Sequence, residues 1–299
     1  MRFVPVGTFP FFKNTDAHRR PAEGGERLQM QRDCGMIRTV IFRPIESEVE
    51  NQMNTKEPIR ENKRQEPVGI IGAMEKEIEL LKNSMQILDT ETVTGMTFYR
   101  GTLSGCPAVL VKCGVGKVNA GICAQTLIIR YGVKTVLFTG VAGSLRSEIG
   151  IGNIVVSTDA VQYDMDLTAL GYPKGKFFEN AISEFVADPE LRRRVSASAA
   201  VAAPQQKVFE GRICSGDKFV ADKETKQELA EVFGGLCCEM EGAAVGQVCT
   251  LNEVPFVIIR AISDNADDSS HMSFPEFLET SARNSAAIVC HMLQGKTES

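Results

Sequence analysis

The chain has 299 residues, 43% of them apolar and 24% charged, which suits one sizeable α/β domain plus an appendage. Its net charge of −5 argues against a broad nucleic-acid footprint, and no apolar run is long enough to span a bilayer. Nine cysteines without a C-x-x-C spacing and three scattered histidines argue against a disulfide framework or a structural metal, and for a cytoplasmic protein.

Residues 1–66 show no sustained helical or strand period, apart from a short apolar run at Met36 to Phe42. They read as a disordered N-terminal extension, or as a start assigned too far upstream with Met53 as an alternative. The domain is expected over residues 67–296. Val68 to Gly72 reads as a buried strand, and Glu75 to Leu88 as a helix with its stripe at Ile78, Leu81, Met85 and Leu88. Thr97 to Leu103 and Ala108 to Cys113 read as an antiparallel pair joined at Ser104-Gly105. A helix is expected over Lys117 to Tyr131, then a buried strand Thr135 to Phe138 and a turn Thr139 to Ser144.

Further on come a strand Asn153 to Val161, a helix Asp188 to Ala202, a strand Gln206 to Cys214 and a helix Asp222 to Val232. The chain closes with a helix Glu241 to Leu251, a strand Pro255 to Ile262 and a helix Phe274 to Leu293. This alternation, with one antiparallel pair, predicts an α/β fold: a central mixed sheet covered by helices on both faces.

Several strand ends release glycine or small polar residues: Gly72-Ala73, Gly114 to Gly116, Gly140 to Ser144, Ser215 to Asp217 and Ser263-Asp264. Ligands bind at the carboxyl ends of strands in such folds, so five such ends suggest one cleft. Dinucleotide-binding, phosphate-loop, nucleophile-elbow and H-E-x-x-H patterns do not occur. The candidate acids are Glu77, Glu239, Glu241 and Asp264. Each has an ordinary structural reading too: Glu77 as a solvated charge in a first helical turn, Glu239 and Glu241 as an exposed helix start, Asp264 as an N-cap or Asx-turn. Phe219 and Phe274 are by default core residues.

Taken together, Gly69 to Glu77, Gly114 to Val118, Thr139 to Gly143, Ser215 to Phe219, Glu239-Met240-Glu241 and Arg260 to Asp264 resemble the 5′-methylthioadenosine/S-adenosylhomocysteine nucleosidases. The likeness keeps its order from about Val68 to Leu293. It implies the nucleoside phosphorylase fold, a three-layer α/β/α domain, without cofactor or metal. It also implies a homodimer acting on small adenine thio-nucleosides in methionine salvage.

By the same resemblance, Glu77 is the carboxylate that activates water and Asp264 the acid that protonates adenine N7, with Ser263 placing it. Arg260 is the buried partner of the catalytic carboxylates. Met240 and Glu241 are the ribose contacts, beside Glu239. Phe219 stacks on adenine, Val220 reads the base edge through its backbone, and Gly143 is a further substrate contact. Phe274 and Met74 shape the 5′ pocket. The sequence departs from the pattern at Val141, where a small hydroxyl residue is expected near the water, and at Val220, where the aliphatic side chain is smaller than usual.

The chemistry is coherent on its own terms. Protonating the base makes adenine a neutral leaving group, and carboxylates can stabilise an oxocarbenium-like sugar and orient water, much as glycoside hydrolases use two acids. General acid–base help is typically worth about 10²–10⁴-fold per group. Two other readings stand beside hydrolysis: a phosphorylase of the same fold, which wants arginines converging on the cleft, and a non-catalytic nucleoside-binding module. The 5′ substituent stays open between methylthio, homocysteinyl, deoxy and futalosine-type.

Overall fold

The computed structural model describes residues 66–294, so the readings made above of the N-terminal segment lie outside the described residues. Three parallel strands form the spine. β1 (Val68–Gly72) and β10 (Phe256–Asp264) are buried throughout and β5 (Thr135–Ser144) at all but its first residue, as befits parallel strands covered on both faces. β1 pairs with β5, and β5 with β10, in a register that sets Arg260 beside Gly140 and Asp264 beside Gly143. On its other side β1 pairs with β4 (Cys106–Lys112), followed outward by β3 (Met96–Leu103) and β2 (Met85–Val93).

β5 also pairs with the short β9 (Cys237–Glu239), which leads through β8 (Val208–Ser215) and β6 (Ile154–Gln162) back to β10. β7 (Glu184–Val186) joins the edge of β6. The run β5, β9, β8, β6, β10 and again β5 therefore closes on itself, and the mixed sheet curls there.

Among the described residues six α-helices flank the sheet: α1 (Glu75–Ser84), α2 (Lys117–Tyr131), α3 (Pro189–Ala202), α4 (Lys223–Val232), α5 (Gly242–Leu251) and α6 (Ser270–Gln294). α1 and α3 pack on α6, whereas α2 packs on α5, giving two helical groups. Local chemistry fixes several ends. Asp188 caps α3 by accepting from Leu191 N–H at 2.8 Å, with Pro189 in the first turn, and Asp222 caps α4 through Thr225 N–H at 2.8 Å. α2 stops at Gly132, whose φ of 65° needs a residue at ease in the left-handed region.

The sheet differs from the sequence reading beyond the unforeseen short strands β7 and β9. The helix expected to run to Leu88 ends at Ser84. From Met85 the chain is strand β2, because its Thr- and Val-bearing run pairs with β3 and leaves Leu88 69% exposed. The expected turn Thr139 to Ser144 is a continuation of β5, since β10 runs beside it and the small residues let the two strands and their side chains approach. Antiparallel pairing is also more extensive than one hairpin: β2–β3, β3–β4, β5–β9, β6–β7 and β6–β10 all run antiparallel.

Candidate active site

The carboxyl ends of β1, β5, β8, β9 and β10 converge on a cavity of about 340 Å³. Its wall contains Met74, Glu77, Val141, Gly143, Phe219, Val220, Glu239, Met240, Glu241, Ser263, Asp264 and Phe274. Arg260, expected from the sequence as the buried partner of the catalytic carboxylates, does not line it. The guanidinium lies beneath the floor, 1% exposed.

Glu77 sits in the first turn of α1, just after β1. Its Oε2 accepts from the N–H groups of Ala73 at 2.6 Å and Met74 at 2.8 Å, and its Oε1 accepts from Val141 N–H at 3.0 Å. The solvated-charge reading therefore fails: the side chain is buried and aimed inward. Burial raises its pKa above the ordinary carboxylate value, against the pull of Arg260 and the three amides. Gly140 makes this position possible, because a Cβ there would overlap Glu77 Oε1 and press on Arg260 Nη1.

Glu239, at the end of β9, is gripped on both oxygens. Oε2 accepts from Arg260 Nη2 at 2.6 Å, from Gly242 N–H at 2.7 Å and from Glu241 N–H at 3.2 Å, while Oε1 accepts from the Ser215 hydroxyl. Glu239 thus borders the cavity but spends its hydrogen-bonding capacity on the N-terminus of α5 and on Arg260. The guanidinium also lies over the Phe138 ring, 4.0 Å from its centroid.

Glu241 is the N-cap residue of α5, and its Oε1 accepts from Gly116 N–H at 2.8 Å. Burial, reinforced by the neighbouring Glu239, pushes its pKa up to about 8. One guanidinium cannot hold three buried carboxylates ionised at equal cost, and Glu241 takes much of the strain.

Asp264 ends β10, 2% exposed. The Ser263 hydroxyl donates to Oδ2 at 2.9 Å, and Ala266 N–H donates to Oδ1 at 2.9 Å. The second contact is the side-chain turn anticipated from the sequence, and it holds Ala266 at a φ of 51°. Gly143 leaves room for it, since a Cβ there would lie 2.8 Å from Asp264 Oδ1. Phe219 and Phe274 meet edge to face, centroids 5.4 Å apart and planes at 76°. They form a cavity wall rather than core, and Phe219 stays 45% exposed.

Ala73, Val115, Ala142, Lys218 and Cys238 also line the cavity and were not singled out from the sequence. Ala73, Val115, Ala142 and Lys218 belong to stretches the sequence reading did mark and Cys238 lies just before one, but small and apolar side chains carry no chemical signal of their own. Burial pushes the Cys238 thiol well above its usual pKa, so it presents an uncharged surface. Among the described residues no group of three or more His, Cys, Asp or Glu side chains is arranged to hold a metal ion.

The sequence model of the phosphorylase superfamily matches residues 67–294. The 5′-methylthioadenosine/S-adenosylhomocysteine nucleosidase of Shewanella sediminis is 39% identical over 229 residues, covering 76% of this chain and 98% of that protein. Among solved structures, the nucleosidase of that name from Neisseria meningitidis, in complex with methylthio-immucillin-A, is 37% identical with a TM-score of 0.73, covering 77% of this chain and 99% of that one. The futalosine hydrolase of Helicobacter pylori is 34% identical with a TM-score of 0.73, covering 77% and 98%.

The raised pKa of Glu241 has a stability consequence. The folded protein holds a proton there that the unfolded chain releases near pH 4.5, so the stabilisation is complete below that value and is lost as pH rises to about 8. Melting the native protein and Glu241→Gln from pH 5 to pH 8.5 should show the native protein losing at least ~2 °C relative to the variant, the scale of roughly 1 kcal/mol for such a domain. A constant difference would mean that Glu241 is ionised throughout.

Proposed function

The chain belongs to the phosphorylase superfamily and, within it, to the 5′-methylthioadenosine/S-adenosylhomocysteine nucleosidases, and from that premise we propose that it hydrolyses the N-glycosidic bond of those two nucleosides. Adenine and the corresponding 5-thioribose are the products, and 5′-deoxyadenosine fits the same chemistry. The observation that carries this reading is the meeting of Glu77, Glu241, Asp264 and Phe219 in one cavity, delivered by distant parts of the chain.

Adenine stacks on Phe219, with its edge against the Val220 backbone and N7 toward Asp264. The ribose hydroxyls donate to Glu241, beside Met240. A charge-assisted bond of that kind is worth about 1.5–3 kcal/mol. Hydroxyl donors favour the ionised form of Glu241, and so does the cationic sugar that develops as the bond breaks. The anion's benefit therefore grows from ground state to transition state.

Asp264 gives its proton to N7, the C1′–N9 bond breaks with its electron pair passing to adenine, and water adds to C1′ while Glu77 takes its proton. Three backbone amides hold Glu77 in place beforehand, which spares reorganisation during the step. The Val141 side chain offers that water no hydroxyl, so Glu77 carries the task without it. Met74 and Phe274 shape the space for the 5′ substituent.

A phosphate acceptor finds less support. Among the described lining residues Lys218 is the one cation, and its ammonium is engaged with Asp222 and Thr225. Glu77, which must be ionised to take the acceptor's proton, also repels an anion. The reading also places the enzyme in the cytoplasm, where its free thiols stay reduced; among the described residues no helix is long and apolar enough to cross a membrane. It further makes the enzyme a homodimer, supported by Val118, Ile122 and Ile129, which leave an apolar stripe exposed along α2.

Adenine release from methylthioadenosine should proceed at the same rate with and without phosphate. Phosphate-dependent formation of a ribose 1-phosphate would replace hydrolysis by phosphorolysis, and tight binding without turnover would make the protein a binding module. Glu77→Gln and Asp264→Asn should each lower kcat at least ~10²-fold with little change in melting temperature; near-native turnover by either variant would remove that residue's role. Sedimentation equilibrium should give twice the chain mass, and a monomer at micromolar concentration would end the dimer assignment.

A further inference from the structure

α2 starts without a cap of its own. Its N-cap is Gly116, which has no side chain, and its first turn carries no acid. A helix start leaves backbone N–H groups unsatisfied and favours a carboxylate nearby. Two carboxylates from distant segments meet that need. Glu241 Oε1 accepts from Gly116 N–H at 2.8 Å, and Asp217 Oδ1 accepts from Lys117 N–H at 2.8 Å. Gly116 has a φ of 99°, and a Cβ there would lie 3.2 Å from Asp217 Oδ1, so glycine allows both the turn and the close approach.

Asp217 is held in its turn. Its own N–H donates to Asp164 Oδ2 at 2.9 Å, and the Lys117 ammonium lies 2.5 Å from Asp164 Oδ1. Asp217 also sits on the loop after β8, two residues before Phe219 and three before Val220.

We infer that Asp217 is a positioning residue: it caps α2 from the base-binding loop and thereby keeps the Gly116 N–H aimed at Glu241. The inference rests on the reading of the cavity as an adenosine site in which Glu241 meets the ribose. Asp217 does not line the cavity and its side chain is 51% exposed, so it touches no reacting atom. Its reach is through the backbone. One carboxylate ties the loop that stacks adenine to the helix start that presents the sugar-binding acid, so disturbance of one end is felt at the other.

The test is a double-mutant cycle with the full chain. Asp217→Ala should lower kcat/KM for methylthioadenosine about tenfold, the scale of a lost helix cap. Asp217→Asn keeps an oxygen to accept the Lys117 N–H and should stay within about threefold of the native value. In a Glu241→Gln background, Asp217→Ala should cost less than about twofold further, because the group it positions is already altered. A full, additive loss in that background, or equal losses for Ala and Asn, would overturn the inference.

Hydrogen exchange supplies a readout independent of turnover. The amides of Gly116 and Lys117 should exchange severalfold faster in Asp217→Ala and near the native rate in Asp217→Asn. Unchanged exchange in Asp217→Ala would overturn the capping role, even if the native protein released no adenine and the adenosine reading itself had failed.

Discussion

A single buried guanidinium holds the site together. Arg260 projects from β10 under the cavity, packs on the Phe138 ring and donates to Glu239, which in turn gathers the first amides of α5 and the Ser215 hydroxyl. Removing one partner of such a pair leaves an uncompensated buried charge and costs about 3–5 kcal/mol. Strands β8, β9 and β10 and the start of α5 are therefore fixed to one another by the interaction that also sets the charge balance below the cavity. Glu77 and Glu241 share that cation's field without bonding to it, and both have raised pKa values.

This arrangement explains why the acids differ in character although all are buried. Glu239 is saturated by protein donors and acts as a strut. Glu77 is steadied by three amides but keeps a face toward the cavity, as its proposed role of orienting water requires. Among the described residues the Glu241 carboxylate accepts one bond, from Gly116 N–H, and has capacity left for the proposed hydroxyl donors. Asp264 is placed by a serine hydroxyl and a turn amide at the far end of the same strand as Arg260. Asp264 at the end of β10 and Glu77 in the first turn of α1 thus reach the cavity from different elements, as the proposed separation of leaving group from entering oxygen requires.

Much of the fold was legible in the sequence because buried parallel strands leave continuous apolar runs. Val68 to Gly72 and Pro255 to Ile262 could be read directly, and the helix expected over Lys117 to Tyr131 matched the observed bounds of α2. The misreadings have physical causes. Met85 and Leu88 fall on a helical period by coincidence, but pairing with β3 outweighs it. Glycine in Thr139 to Ser144 suggested a turn, whereas it serves a strand that must admit Glu77 and Asp264 at close range. The three-residue strands β7 and β9 are too short to leave a period.

At the site, the carboxylates stood out by residue type and by family likeness, the aromatic walls by family likeness alone. What could not be read was which acid points outward and which inward, since that depends on donors contributed by segments far apart in the chain. Glu239 was read beside the ribose contacts, and Arg260 as a buried partner of the catalytic carboxylates in general. In the structure the two bind each other, one at the cavity's border and one beneath it.

The central claim is that the acids act together on one adenosine-like molecule with water as the acceptor. A single turnover of methylthioadenosine in water enriched with oxygen-18 tests it most directly. One labelled oxygen should appear at C1 of the released thioribose, with none in adenine. An unlabelled sugar, or a sugar phosphate formed at the expense of the labelled product, would contradict it.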